Sequence, residues 1–146
     1  MKVRLQPPNA MDQFYLVKLD RFMEIVDTWN LEQRESTEIV DAYHEHWFRE
    51  GDNGIKLFHA PEFYLRNGVA GFVNGRHRTL VLRRHLAEIP MALTNMDGFP
   101  MRALAPSKNS EMVLQQIAAK KLVGDEILAF PDLPIRYLGY DLNIGK

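Results

Sequence analysis

Cysteine is absent from the 146-residue chain, which removes a Cys nucleophile, a thiolate zinc cluster, iron–sulfur ligation and any dithiol redox pair. Long apolar runs are missing as well. No stretch approaches the ~20 residues of a membrane span, and the opening segment MKVRLQPPNAMDQFYLVKLD holds no apolar run of signal-peptide length. The expected location is the cytoplasm, with no membrane association. A large excess of either charge is lacking too: eighteen Lys plus Arg face nineteen Asp plus Glu, for a formal net charge of -1. The surface as a whole is therefore no electrostatic glove for nucleic acid or anionic lipid, and any anion site must be local. No repeat period and no low-complexity segment occurs.

What is present is the composition of one soluble domain, 46% hydrophobic and 25% charged, so residues 1–146 are read as a single domain with its own core. Lys2 to Leu5 reads as a short strand ended by Pro7-Pro8-Asn9, and Gln13 to Leu19 as a second strand. Asp20 is the expected cap of a helix carrying Phe22, Ile25, Val26 and Trp29. Ser36 to Glu50 reads as another helix, with Ile39, Val40, Tyr43 and Trp47 inward. Ile55 to Phe58, Phe63 to Leu65 and Val69 to Val73 read as strands, the last two joined by Asn67-Gly68, a hairpin signal. Arg76 to Leu86 has helix length and Ile89 to Leu93 is a strand. Ser107 or Asn109 should cap a helix bearing Leu114, Ile117, Ala118 and Leu122, with Lys120 and Lys121 in its last turn and Gly124 past its end. Ile135 to Leu138 returns as an edge strand. Helices interleaved with short strands make the fold class α+β, a mixed sheet with helices.

The stretch from Gly71 to Leu93 carries the most chemistry. A strand runs into Asn74-Gly75, a helix begins at once, and Glu88-Ile89-Pro90 leads into the next strand. At such a turn the first helical N–H groups have no intrahelical acceptor and the helix dipole adds about half a positive charge, so an anion is favoured there. Arg76 and Arg78 bring two guanidinium forks to the same place, each able to hold a phosphate with bonds worth about 1.5–3 kcal/mol. His77 is the candidate proton carrier, and the Thr79 hydroxyl is a further phosphate or metal-water ligand. The spacing is neither the phosphate loop with Gly-Lys-Ser/Thr nor the Gly-x-Gly-x-x-Gly dinucleotide turn. A solvated Arg-rich helix start is the competing reading of the same residues.

Asn74-Gly75-Arg76-His77-Arg78-Thr79, followed by a helix and then Glu88-Ile89-Pro90-Met91-Ala92-Leu93, resembles the phosphate-binding signature of the ParB/sulfiredoxin-like superfamily. In that signature Gly-x-x-Arg opens a helix and an Ile-Pro-Val strand follows. More narrowly, the chain is similar to the plasmid fertility-inhibition factors, small ParB-like proteins carried against conjugal transfer by a competing element. The resemblance covers Val69 to Leu93 and, in element order, reaches back to Gln13. It implies a single ParB/sulfiredoxin-like domain that binds a nucleoside triphosphate, ATP first, through Asn74, Gly75, Arg76, His77, Arg78 and Thr79, with a divalent cation as an optional companion. It also implies suppression of conjugation through NTP hydrolysis or DNA cleavage, so the enzyme class would be NTPase or nuclease. Both reactions develop negative charge on phosphoryl oxygens, which makes Arg78 the electrostatic and His77 the acid–base catalytic candidate. The implied partners are a coupling protein or relaxase complex, together with DNA. The alternative is a non-catalytic interaction protein that blocks a conjugation component by occupancy. Sulfiredoxin chemistry is excluded, because His77 stands where that family uses Cys. The Pro-Arg box of ParB proteins has no clear counterpart, Arg34 lying only in the same region. The roughly 50 residues after Leu93 carry one helix signal, so no helix-turn-helix is expected.

Weaker candidates have ordinary explanations. On a helix, His44 and His46 would face different sides and could not share an ion, so no metal site is assigned. Glu38, Asp41 and Glu45 would form an acidic helical stripe, either solvated or holding a cation beside a nucleotide. Arg83, Arg84 and His85 extend the basic run as a local positive patch, a DNA contact or a solvated helix end. Trp29, Trp47, Tyr43, Phe63, Met91 and Met96 are expected in the core.

Overall fold

The computed structural model describes residues 1–6, 13–26, 40–66, 69–94, 108–123 and 125–137. Outside them lie Pro7-Pro8-Asn9, Trp29, Arg34, the first turn of the expected second helix with Glu38, the Asn67-Gly68 link, Met96, Ser107, Gly124 and Leu138. In chain order the elements are β1 (Lys2–Leu5), β2 (Gln13–Lys18), α1 (Leu19–Ile25), β3 (Tyr43–His44), a 3-10 turn (Glu45–Trp47), β4 (Phe48–Arg49), a second 3-10 turn (Asp52–Gly54), β5 (Lys56–Phe58), β6 (Glu62–Arg66), β7 (Val69–Asn74), α2 (Arg76–Arg83), β8 (Glu88–Leu93), α3 (Lys108–Gln116), β9 (Lys120–Lys121), β10 (Leu128–Ala129) and β11 (Ile135–Arg136). The fold is α+β, with mixed sheets and helices.

The larger sheet has the order β7-β6-β8-β2-β9. Its centre is the antiparallel pair β2 and β8, in register from Gln13↔Leu93 to Lys18↔Glu88. β8 is buried at every position after Glu88, which suits its continuous apolar run Ile89 to Leu93. β6 lies parallel to β8 and antiparallel to β7. A smaller sheet, β10-β1-β5-β4, is built on the parallel pair β1 and β5, and β11 pairs with β3 in a parallel ribbon. Side chains of both sheets meet in one apolar cluster that includes Val3, Phe14, Phe22, Phe58, Phe63, Leu82, Met91 and Ile117. Phe22 stands edge-on to Phe63 at 5.6 Å and to Phe72 at 5.5 Å, an arrangement favoured by the ring quadrupoles. Tyr43, Trp47, Phe63 and Met91 are core residues as expected.

The expected helix over Ser36 to Glu50 is not present in its described part. Tyr43 and Trp47 are both buried four residues apart, a spacing that imitates helical periodicity. Here it arises from a two-residue strand followed by a 3-10 turn. Tyr43 donates its N–H to the Pro134 carbonyl at 2.7 Å and its hydroxyl to the Pro131 carbonyl at 2.8 Å, so a partner about ninety positions away overrides local preference. Asp41 and Glu45 accordingly do not form a helical stripe.

Two other helices end early. α1 starts at Leu19, whose N–H bonds the Ala87 carbonyl at 3.0 Å, and Asp20 sits in its first turn rather than before it. It stops at Ile25, and Val26 instead bridges to Ala70 beside β7. α3 stops at Gln116 because Ala118 turns left-handed at φ 51. Lys120 and Lys121 are therefore not in a last helical turn; they form the edge strand β9 against Leu16 and Tyr15. Lysines on an edge strand also discourage pairing with another chain.

Candidate functional site

β7 runs to Asn74, Gly75 makes the turn and α2 begins at Arg76, as the Asn-Gly signal predicts. Gly75 has φ 96 and ψ 22, the left-handed conformation that a glycine adopts without strain. Its missing side chain is also a packing requirement. A Cβ there would lie 2.6 Å from Pro61 Cα and 2.8 Å from Arg78 Nη2. Glycine thus lets the turn sit down on Pro61 and lets the Arg78 guanidinium fold beneath it.

The rest of α2 fixes this geometry. Arg78, Thr79, Leu80, Val81 and Leu82 are all buried, so the helix is held on every side through its middle turn. Thr79 is fully enclosed; its hydroxyl donates to the Gly75 carbonyl at 2.9 Å, and its N–H reaches the same oxygen at 3.0 Å. Of the residues expected to touch a ligand, Thr79 is the one that does not line the cavity. Asn74, Gly75, Arg76, His77 and Arg78 do come together, lining a cavity of about 260 Å³. Gly75 offers the helix no side-chain cap, so the dipole's positive end borders this cavity.

The opposite wall comes from elsewhere in the chain. His46, Trp47, Phe72 and Val73 complete the lining. Between Glu62↔Asn74 and Phe63↔Phe72 the register shifts, leaving Val73 as an extra residue, and such a bulge re-aims the strand at the cavity rim. His44 stacks on Trp47 with ring centres 4.9 Å apart, and His77 meets His44 edge-on at 5.2 Å. His77, expected from the sequence to carry a proton, forms part of the wall, with its Nε2 buried. His46 is exposed and stands 5.5 Å from His44.

Arg78 is the centre of the site's electrostatics. It is 5% exposed, and its Nε and Nη2 are buried with no hydrogen-bond partner among the described residues. Burial pulls the guanidinium pKa down to about 10, and the Glu62 carboxylate counters this from a distance. No carboxylate forms an ion pair with it among the described residues. Glu62 is occupied at the rim instead, accepting from Asn74 Nδ2 at 3.5 Å and lying 3.6 Å from His59 Nε2. Burial lowers the His59 pKa, the Arg78 charge lowers it further, and Glu62 opposes both.

Several of these residues escape sequence reasoning. His46 and Trp47 are visible in the His44-Glu45-His46-Trp47 run but are misplaced by the helical reading. Glu62 and His59 carry no local motif. Among the described residues no group of three or more His, Asp or Glu side chains is arranged to hold a metal ion. At the far end of α2, His85 Nε2 and Asp41 Oδ1 lie 2.7 Å apart, linking the helix exit to the segment that bears β3. No helix of the described residues is long and apolar enough to cross a membrane. No protein-family model matches the chain, and neither a curated protein nor a solved structure shows significant similarity to it.

Proposed function

We propose that the protein is a phosphate-binding domain whose cavity at the start of α2 holds the phosphate of a nucleotide, ATP first among the candidates. The observation that carries this reading is the buried edge of Arg78, which has no hydrogen-bond partner among the described residues. An enclosed cation costs several kcal/mol unless a counter-charge and hydrogen bonds meet it. An oxyanion in the adjoining cavity would supply both, with Arg76 and the helix dipole adding to the attraction. The site residues are Asn74, Gly75, Arg76, His77 and Arg78, with Thr79 supporting the turn from below.

The resemblance of Asn74 to Thr79 and Glu88 to Leu93 to the fertility-inhibition factors extends the proposal to suppression of conjugal transfer in the cytoplasm, through a coupling protein or relaxase complex or through DNA. Turnover would take the form of NTP or phosphodiester hydrolysis, with Arg78 stabilising the developing charge and His77 moving the proton. One observation favours the second reading, inhibition by occupancy: none of the described residues lining the cavity is a carboxylate. Titrating ATP, CTP and GTP into wild type, Arg76→Ala and Arg78→Ala tests the site, and phosphate release or nicking by the same samples tests turnover. Equal affinities in all three proteins would end the phosphate reading. A wild type that binds nucleotide and suppresses transfer without any turnover would leave occupancy as the mechanism.

A further inference from the structure

Four of the chain's five histidines gather around this one cavity. His46 and His77 line it, His44 lies within 5.5 Å of both rings by centre, and His59 stands behind the wall, its N–H donating to the carbonyl of the lining residue Trp47 at 2.8 Å and its Nε2 lying 3.6 Å from Glu62. They come from β3, the 3-10 turn after it, the segment before β6, and α2. Such convergence has a consequence for charge. Burial, the Arg78 guanidinium and the neighbouring His46 all oppose protonation of the His59 imidazole. Glu62 acts on His59 in the other direction, and Glu45 adjoins His46 in the same turn.

A bound anion reverses this balance. A monoanion offsets about one guanidinium, whereas a dianion brings a second charge that the two arginines must share with Glu62 close by. Imidazole is the side chain whose ordinary pKa lies near neutrality, so it is the group that responds. His46 is exposed at the mouth and His59 is about a third exposed, so both can exchange protons with solvent while the ligand is in place.

We propose that the cavity binds its anion together with a proton: a tetrahedral dianion of the phosphomonoester type enters against Arg78 and the α2 N-terminus, and the His46 and His59 imidazoles take up the proton that balances its second charge. This rests on the anion-site reading above and adds to it both a preferred ligand charge and a pH response. By linkage, an anion that raises the affinity for a proton must itself bind more tightly as the proton concentration rises. The charged and titratable groups around His46 and His59 are Glu45 next to His46 in the turn, His44 with its ring 5.5 Å from His46, Glu62 3.6 Å from His59, and Arg76, His77 and Arg78, which share the cavity lining with His46. Of these, only Glu45 and Glu62 are acidic, so the imidazoles remain the acceptors at neutral pH.

Sulfate is the probe of choice, because it stays a dianion across the neutral range and any pH response then belongs to the protein. Calorimetric titration in two buffers of different ionisation heat counts the protons taken up. The expected result is net proton uptake and a sulfate affinity that rises up to about tenfold per pH unit between about pH 8 and pH 6 for one coupled proton. In H46Q/H59Q, confirmed as folded by circular dichroism, the uptake should largely vanish and the pH 6 affinity should fall toward the wild-type value at pH 8. Arg78-dependent sulfate binding with a flat pH response and no proton uptake would overturn this inference and leave the anion site standing. Uptake unchanged in H46Q/H59Q would overturn the assignment to those two imidazoles. Failure of wild type to bind sulfate at any pH would overturn the anion site and this inference together.

Discussion

Gly75 and Arg78 are in contact across the first turn of α2, such that a single methyl on Gly75 would lie 2.8 Å from the Arg78 Nη2. The turn can therefore not take a side chain at Gly75 while the guanidinium and Pro61 keep their places. Gly75→Ala meets two penalties: a left-handed backbone, about 1–2 kcal/mol, and a Cβ 2.6 Å from the Pro61 backbone. The expected loss is about 2 kcal/mol or more of stability in urea denaturation, accompanied by loss of nucleotide or sulfate binding.

Arg78 separates stability from binding. Its guanidinium is buried without an ion-pair partner among the described residues, so replacing it with an apolar side chain of similar length removes a desolvation cost. Arg78→Met should leave the fold unchanged in stability or up to about 3 kcal/mol more stable, while anion affinity falls about ten- to a hundred-fold as charge-assisted bonds are lost. Thermal denaturation and calorimetry on the same sample check both arms. A variant that is much less stable and still binds would refute the account.

Thr79 provides the contrast. Because its hydroxyl is spent on the Gly75 carbonyl inside the protein, Thr79→Val should cost about 1 kcal/mol of stability. Its effect on anion affinity should be well below that of Arg78→Met, since it holds the turn without reaching the cavity. An affinity loss as large as that of Arg78→Met would instead make the hydroxyl a direct ligand.

His59 bears on stability against pH. Its folded pKa is lowered, so in the interval between that value and the ordinary 6.5 the unfolded chain binds more protons than the folded one. Stability should consequently fall as pH drops through about 6.5, and His59→Gln should reduce that fall. Denaturation curves at a series of pH values, without any anion present, measure it. An unchanged pH profile in the variant would show that another group is responsible.

The strand–turn–helix at Val69 to Arg83 and the β8 strand behind it were legible because every signal there is local. Asn74-Gly75 breaks the strand, Arg76 starts a run of helix formers, and Ile89 to Leu93 is a short apolar run bounded by a turn. With those elements came five residues of the cavity, Asn74 to Arg78, since they are consecutive and any strand-to-helix turn would present them together. The wall that faces them was not legible. Tyr43 and Trp47 repeat at a spacing that suits a helix as well as the strand and 3-10 turn that form, and the choice depends on Pro131, Pro134 and Ile135, which hold Tyr43 from far along the chain. Lys120 and Lys121 likewise look like the basic end of a helix until β2 offers an edge to pair with.

Local chemistry by itself thus determined where an anion could meet a helix start and which arginines would be near it. Tertiary structure alone decided that Arg78 is enclosed rather than solvated, that Thr79 faces inward, that His46 lines the same cavity, and that His44 and His59 pack against its wall. The physical reason is that burial and long-range electrostatics depend on which segments pack together, and strand pairing between residues many tens of positions apart leaves no periodic trace in either segment taken singly.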